Sequence, residues 1–177
     1  MSRSASTTSE PPAGPDADPD AVARKILLDQ LTGQARSRRE LRDKLAARNV
    51  PDEVAERMLD RFEEVGLIDD RAFARAWVES RQAGRGLAPR ALAQELRRKG
   101  VPDDVARDAL DRVSAEDQEA AARALVRRRL RSLQRVDRTT ATRRLVGMLG
   151  RKGYSTSLAY SVVASELGAL DEPEEFE

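Results

Sequence analysis

Pairs of leucines four residues apart recur three times along the chain: Leu41 and Leu45, Leu92 and Leu96, Leu145 and Leu149. Leucines at this spacing share one face of a helix, so each pair predicts an amphipathic helix with a buried stripe. The surrounding sequence repeats as well. Residues 39–61 and 90–112 are identical at 11 of 23 positions, and residues 143–159 give a fainter third copy. Copies of about 50 residues indicate a tandem array.

Each copy divides into three predicted helices. The first carries apolar residues near helical spacing, such as Phe73 and Trp77, and the second carries the leucine pair. The third follows a short turn at residues 49–52, 100–103 and 153–156, where Gly100 and Gly153 suit the left-handed position that ends a helix. In copy one the third helix is expected to bury a face that includes Val65. We therefore predict an all-α protein of three tandem three-helix repeats that form an elongated, curved array.

Composition sets the expected boundaries of these repeats. Residues 1–20 are rich in Pro and Ser and nearly devoid of apolar side chains, which predicts a disordered leader. Repeat 1 is expected at residues 21–68, repeat 2 at 69–114 and repeat 3, the basic one, at 115–170. Residues 171–177 form an acidic tail. Asp69, which precedes the apolar face of Phe73 and Trp77, is interpreted as the N-cap of a helix.

Missing residue types exclude several classes of chemistry. Aromatic residues make up only 3% of the chain, and it has no Cys and no His. Disulfides, thiolate metal sites and His-based acid–base catalysis therefore lack their usual groups. We expect no catalytic site, no metal, no cofactor and no small-molecule substrate. No apolar run reaches the roughly 20 residues that span a bilayer, so we expect a cytoplasmic protein without a membrane partner.

Charge is distributed unevenly although the net charge is only +1. Residues 123–152 carry 11 basic and 1 acidic residue, and residues 153–177 carry 6 acidic and no basic residue. A block of this kind can attract a polyanion, but arginine also serves as a solvated helix residue. The candidate phosphate-contacting residues are Arg123, Arg127, Arg128, Arg131, Arg135, Arg143, Arg144, Arg151 and Lys152. Of the aromatic residues in the array, Trp77 is expected in the core, Tyr154 is expected to pack, and Tyr160 could stack on a base.

A second arginine group lies in the loop at residues 81–90, where Gly84 and Gly86 supply backbone freedom and Pro89 suits a helix start. One interpretation is an ordinary helix connection with solvated charges. The other is a contact from Arg81, Arg85 and Arg90 to phosphates or carboxylates, with which guanidinium groups pair bidentately.

These residues belong to a pattern that resembles the RecX family, the regulators of the bacterial recombinase RecA. The pattern runs Gly66-Leu67-Ile68-Asp69-Asp70, Phe73-Ala74, Trp77-Val78, Arg81, Arg85-Gly86, Pro89-Arg90 and Glu95-Leu96-Arg97-Arg98-Lys99-Gly100-Val101. The resemblance covers about residues 22–168. It implies a non-enzymatic protein, expected here as a monomer, that lies in the groove of the RecA filament on single-stranded DNA and limits its activities. The candidate RecA-contacting residues are then Arg81, Arg85, Gly86, Pro89, Arg90, Arg97, Arg98 and Lys99.

Two other classes remain as alternatives to this regulatory role. A direct DNA-binding protein could use three-helix units of the helix-turn-helix kind, but its recognition helices should then carry clustered Arg, Asn or Gln. The third helices that begin near Pro51 and Pro102 are instead mixed in charge. A nuclease or other enzyme would need convergent catalytic groups, and only caps and scattered pairs are found.

Overall fold

Nine helices and no strand make up residues 18–169, the part of the chain that the computed structural model describes. Repeat 1 contains α1 (Pro19–Gly33), α2 (Arg38–Ala46) and α3 (Asp52–Glu64). Repeat 2 contains α4 (Asp70–Arg85), α5 (Pro89–Arg98) and α6 (Asp103–Leu110). Repeat 3 contains α7 (Ala115–Leu130), α8 (Arg138–Arg151) and α9 (Thr156–Gly168). The predicted all-α, three-repeat fold is confirmed.

Three separate hydrophobic cores show that each repeat is a bundle in its own right. All six leucines of the repeated pairs are completely buried, two in each core. Every extensive helix–helix contact lies within one repeat, so the bundles follow one another along the chain and meet only at narrow joints. This is the arrangement of a repeat array, in which each unit contacts its neighbours alone.

Local signals explain most helix ends. The Asp69 carboxylate accepts a hydrogen bond from the backbone N–H of Ala72 at 2.9 Å, which confirms the predicted N-cap. Gly100 and Gly153 have φ values of 73° and 90°, the left-handed conformation that was expected of them. In repeat 1 Asn49 takes the equivalent position with φ 57°.

Two expectations need correction. Residues 19 and 20 belong to α1 and not to the leader, because Asp18 caps the helix and Pro19 suits its first position. Val65 is the C-cap residue of α3 and is 64% exposed, because the helix ends there and no described residue packs over its side chain. Trp77 packs against the second core from its edge and stacks on buried Phe73, in agreement with its expected place.

The acidic tail at residues 171–177 and residues 1–17 of the leader lie outside the described residues. None of the helices in the described range is both long and apolar enough to cross a lipid bilayer.

Candidate nucleic-acid interface

Trp77 and Glu95 bind two of the arginines that the sequence suggested as partner contacts. Trp77 donates its indole N–H to Glu95 Oε2 at 2.9 Å, and Arg81 lies over the indole ring at 4.1 Å from its centroid. Arg81 Nε is 3.3 Å from Glu95 Oε2, and Arg85 reaches the same carboxylate at 3.9 Å. The Glu95 side chain is only 16% exposed. Arg81 and, more loosely, Arg85 therefore hold α4 against α5.

Lys99 lies in the joint between repeats 1 and 2. Its ammonium group contacts Glu40 of α2 at 2.6 Å and stands 4.7 Å from the Trp77 ring centroid. Its backbone carbonyl accepts a hydrogen bond of 2.6 Å from the hydroxyl of Ser37, a completely buried residue that also caps α2. Lys99, one of the candidate RecA contacts, thus joins two repeats.

The joint between repeats 2 and 3 repeats this geometry one unit further along. Lys152 stands where Lys99 stands in repeat 2, and its carbonyl accepts the backbone N–H of Ala88 at 2.9 Å. The Lys152 ammonium donates to the carbonyl of Arg85 at 2.5 Å, and the Tyr154 hydroxyl donates to the carbonyl of Gly86 at 3.1 Å. Tyr154 is 4% exposed, so its expected packing role is confirmed.

Three candidate RecA contacts remain outward-facing: Arg90, Arg97 and Arg98. Arg97 has only a loose ion pair with exposed Asp103 at 3.7 Å, and the other two form no ion pair with any described residue. Pro89 begins α5, and Gly86 takes the left-handed C-cap of α4 with φ 60°, so both shape the loop between these helices. The outward surface of α5 is therefore defined by Arg90, Arg97 and Arg98, which we call the α5 arginines.

The basic block of repeat 3 divides into paired and unpaired arginines. Arg127 binds the carboxylate of Glu166 bidentately, at 2.7 Å and 3.0 Å, and Arg123 binds it at 3.1 Å. Glu166 is 7% exposed, and its hydrogen bond from Arg127 lowers its carboxyl pKa although burial opposes the shift. Arg123 also binds Glu119 at 2.6 Å. These two arginines fasten α7 to α9, so neither remains in the phosphate-contacting set that we propose below.

Four other arginines line one surface depression on repeat 3, together with Met148: Arg129 from α7 and Arg143, Arg144 and Arg151 from α8. All four side chains are exposed, and none forms an ion pair within residues 18–169. We call this group the basic depression. Uncompensated guanidinium groups that converge from two helices can pair with the oxygens of an extended phosphate chain.

The remaining basic candidates surround this depression. Arg128, Arg131 and Arg135 are exposed and have no carboxylate partner in the described part of the chain. Lys152 is partly buried, and burial together with the charges of Arg128 and Arg85 lowers its pKa. Positive charge therefore continues from the second joint onto α7.

Arg129 was not among the sequence-based candidates, and neither was Glu166. Arg129 is the third member of the run 127–129, which spans most of the circumference of a helix, so the sequence could not show which member faces α8. Glu166 is the one acidic residue between Asp137 and the tail. Its isolation in an apolar helix was the available signal for a buried ion pair.

Family comparisons agree with this architecture repeat by repeat. The models of the first, second and third three-helix domains of RecX match residues 23–62, 69–110 and 116–163. The regulatory protein RecX of Thermobifida fusca is 52% identical over 169 residues, which cover 94% of this chain and 91% of that protein. The protein of the same name from Streptomyces coelicolor is 53% identical over 153 residues, covering 86% and 81%.

Solved structures show the same fold. The crystal structure of RecX from Lactobacillus salivarius superimposes with a TM-score of 0.75 at 21% identity, over 86% of this chain and 97% of that one. A second crystal structure, of a regulatory protein RecX, gives a TM-score of 0.75 at 28% identity, over 84% and 72%. With all three domains matched in order and relatives above 50% identity along most of its length, the chain belongs to the RecX family of regulatory proteins.

Proposed function

We propose that this chain binds the RecA filament on single-stranded DNA as a monomer and inhibits its recombinase, ATPase and coprotease activities. Membership of a family of regulatory proteins supports a regulatory role. The partner follows from the family resemblance. A filament on DNA offers a protein surface and a phosphate chain side by side, and the repeat array offers a matching surface for each.

The observation that carries the proposal is the separation of two exposed basic surfaces. The α5 arginines project from repeat 2 among mixed charges, where acidic residues such as Asp103 and Asp104 lie nearby in the chain. The basic depression lies on repeat 3, in a block with ten excess positive charges. Mixed charge suits a protein partner, whereas concentrated positive charge suits phosphates. We assign RecA to the α5 arginines and DNA to the basic depression and its neighbours Arg128, Arg131 and Arg135.

The rival function, sequence reading by helix-turn-helix units, is disfavoured by the side chains of the third helices. The third helix of each unit would enter the major groove and contact base edges. Helices α3 and α6 begin with acidic residues, Asp52 and Glu53 in one and Asp103 and Asp104 in the other. Helix α9 contains no Arg, Lys, Asn or Gln. Acidic first turns would repel DNA phosphates, which favours the filament-binding role.

The test is a RecA ATPase assay on circular single-stranded DNA, with this protein added at a series of ratios to RecA. A filament regulator inhibits ATP hydrolysis well below one molecule per RecA, and extra DNA does not relieve the effect. Inhibition that appears only when the protein can coat the DNA, and that disappears on adding more DNA, would identify a plain DNA competitor. Absence of inhibition at every ratio would contradict the proposal altogether.

A further inference from the structure

Tyr160 is a large aromatic side chain left on the surface of α9. It is 55% exposed and forms no hydrogen bond within residues 18–169. Tyr154, in the same repeat, is buried with its hydroxyl bonded. The fold thus uses one tyrosine of repeat 3 for packing and leaves the other largely in solvent.

The exposed ring borders a depression between α8 and α9. Its lining consists of Arg138, Thr139, Thr142, Arg143, Val146, Gly147 and Tyr160, and its volume is about 660 Å³. The Tyr160 ring, the Val146 side chain and the helix backbone at Gly147 form a partly apolar wall. A planar group can lie against such a wall. We call this the tyrosine depression.

Gly147 lines that depression, and the fold does not require it to be glycine. It lies inside helix α8, where glycine destabilises a helix relative to alanine. An added Cβ would meet only the Arg151 guanidinium, at 3.4 Å, an ordinary contact with the flexible end of a side chain. Packing would therefore allow a larger residue at this position, where the chain has the smallest one.

Arg143 belongs to both depressions. It lines the tyrosine depression together with Tyr160 and Gly147, and the basic depression together with Arg129, Arg144 and Arg151. A ligand that extends from one to the other meets a planar aromatic surface first and then four unpaired guanidinium groups. The guanidinium groups suit an anionic chain, and the exposed ring suits a planar aromatic group. The ligand that fits both therefore carries aromatic groups on an anionic chain.

We propose that the tyrosine depression binds an unstacked base of single-stranded nucleic acid on the Tyr160 ring, while the adjoining phosphates pair with Arg143 and the basic depression. The site deepens the DNA contact assigned above and rests on that part of the proposed function. A duplex keeps its bases stacked and paired, so it can fill the basic depression but not the tyrosine depression. Single-strand binding proteins combine aromatic platforms and cationic grooves in the same way.

The test compares oligothymidylate with an oligonucleotide of equal length whose backbone carries abasic sites, using fluorescence anisotropy and the full chain. Wild-type protein should bind the base-containing strand about 10-fold more tightly, because stacking on an aromatic ring contributes roughly 1–3 kcal/mol per base and each 1.4 kcal/mol is tenfold. Tyr160→Leu should remove most of that difference, and Tyr160→Phe should retain it. The affinity of all three proteins for the abasic strand should be equal.

A second variant tests the space itself. Gly147→Leu adds a side chain to the lining of the depression and keeps the Tyr160 ring, but it also meets Arg151 of the basic depression, so it should weaken oligothymidylate binding by more than it weakens abasic binding. Equal affinity of the wild-type protein for both strands, or a Tyr160→Leu protein that still prefers the base-containing strand, would overturn the proposal. Since the RecA ATPase assay on wild-type protein is a separate measurement, failure of filament regulation and failure of the base site can be distinguished.

Discussion

Gly153 lies directly against the backbone of Ala91, across the joint between repeats 2 and 3: a Cβ atom at position 153 would stand 2.5 Å from the Ala91 nitrogen. The equivalent turn of repeat 2 places Gly100 against the side chain of Arg39 in repeat 1. Both joints therefore use a glycine in the left-handed conformation as the point of closest approach. In both joints the atoms opposite are held by the backbone: the Ala91 nitrogen in one, and the Cβ and Cγ at the base of the Arg39 side chain in the other.

Gly153→Ala and Gly100→Ala should each destabilise the protein more than Gly66→Ala. All three substitutions add the strain of a left-handed alanine, about 1–2 kcal/mol, but only the two at the joints also drive a methyl group into atoms that the backbone holds in place, for roughly 1–3 kcal/mol more. Gly66→Ala is the matched control, since Gly66 has φ 74° and open space around it. Urea denaturation followed by circular dichroism measures the three free energies of unfolding. Equal losses for all three variants would show that both joints relax freely.

Ser37→Ala should lower the free energy of unfolding by more than the loss of an ordinary helix cap does. Besides accepting the N–H of Glu40, the buried hydroxyl donates to the Lys99 carbonyl across the first joint. The cap contributes about 1 kcal/mol and the added hydrogen bond about 1 kcal/mol. Ser114→Ala removes a cap and a solvent-exposed hydrogen bond to Asp117 but no bond across a joint, so it should lower the free energy of unfolding by about the first amount. Fluorescence of Trp77, the only tryptophan, reports the first joint during denaturation. Equal losses in the free energy of unfolding for Ser37→Ala and Ser114→Ala would contradict a role for Ser37 in the joint.

Glu166→Gln should lower the melting temperature at neutral pH and make stability less sensitive to acid. The folded protein holds the Glu166 pKa below its unfolded value, so the carboxylate stabilises the fold at any pH above that unfolded value, roughly 4.3. That contribution disappears as pH falls through the lower folded pKa, where the carboxyl group takes up a proton. The difference in melting temperature between wild type and variant should shrink on acidification. A difference that stays constant with pH would mean that Glu166 contributes by packing alone.

Removing three arginines of the basic depression should flatten the salt dependence of DNA binding. Each lost phosphate contact lowers the slope of log affinity against log salt by about 0.7 on a single strand, so Arg129→Gln, Arg143→Gln and Arg151→Gln together should lower it by up to about 2. The control replaces Arg48, Arg61 and Arg107, exposed arginines of repeats 1 and 2 that have no ion pair in the described chain. If the slope decreased by the same amount in both triple variants, net charge and not this surface would govern DNA binding.

The α5 arginines should contribute to the inhibition of RecA and not to the binding of naked single-stranded DNA. Replacing Arg90, Arg97 and Arg98 by Gln removes exposed charge while keeping helix propensity, so the far-ultraviolet spectrum should not change. Inhibition of RecA ATPase should weaken, whereas affinity for naked single-stranded DNA should stay close to wild type. Arg81 and Arg85 are left intact, because both contact Glu95 inside repeat 2. Proportional loss of DNA and filament binding would contradict the division into two surfaces.

The sequence by itself determined the helices, their grouping by threes and the buried leucine stripes. These features are local or periodic: a pair such as Leu92 and Leu96 shares a helix face whatever the helix packs against. A cap such as Asp69 and a turn glycine such as Gly100 act within a few residues of their own position, so their roles were also readable.

Only the tertiary structure decided which charges are paired and which are open. Arg127 and Arg128 are neighbours in sequence, yet one binds Glu166, 39 residues away, and the other faces solvent. Arg129 and Arg143 reach one depression from different helices, which depends on how α7 and α8 pack. Side chains 100° apart around a helix look alike in sequence, and the contacts that distinguish them form only when distant helices meet.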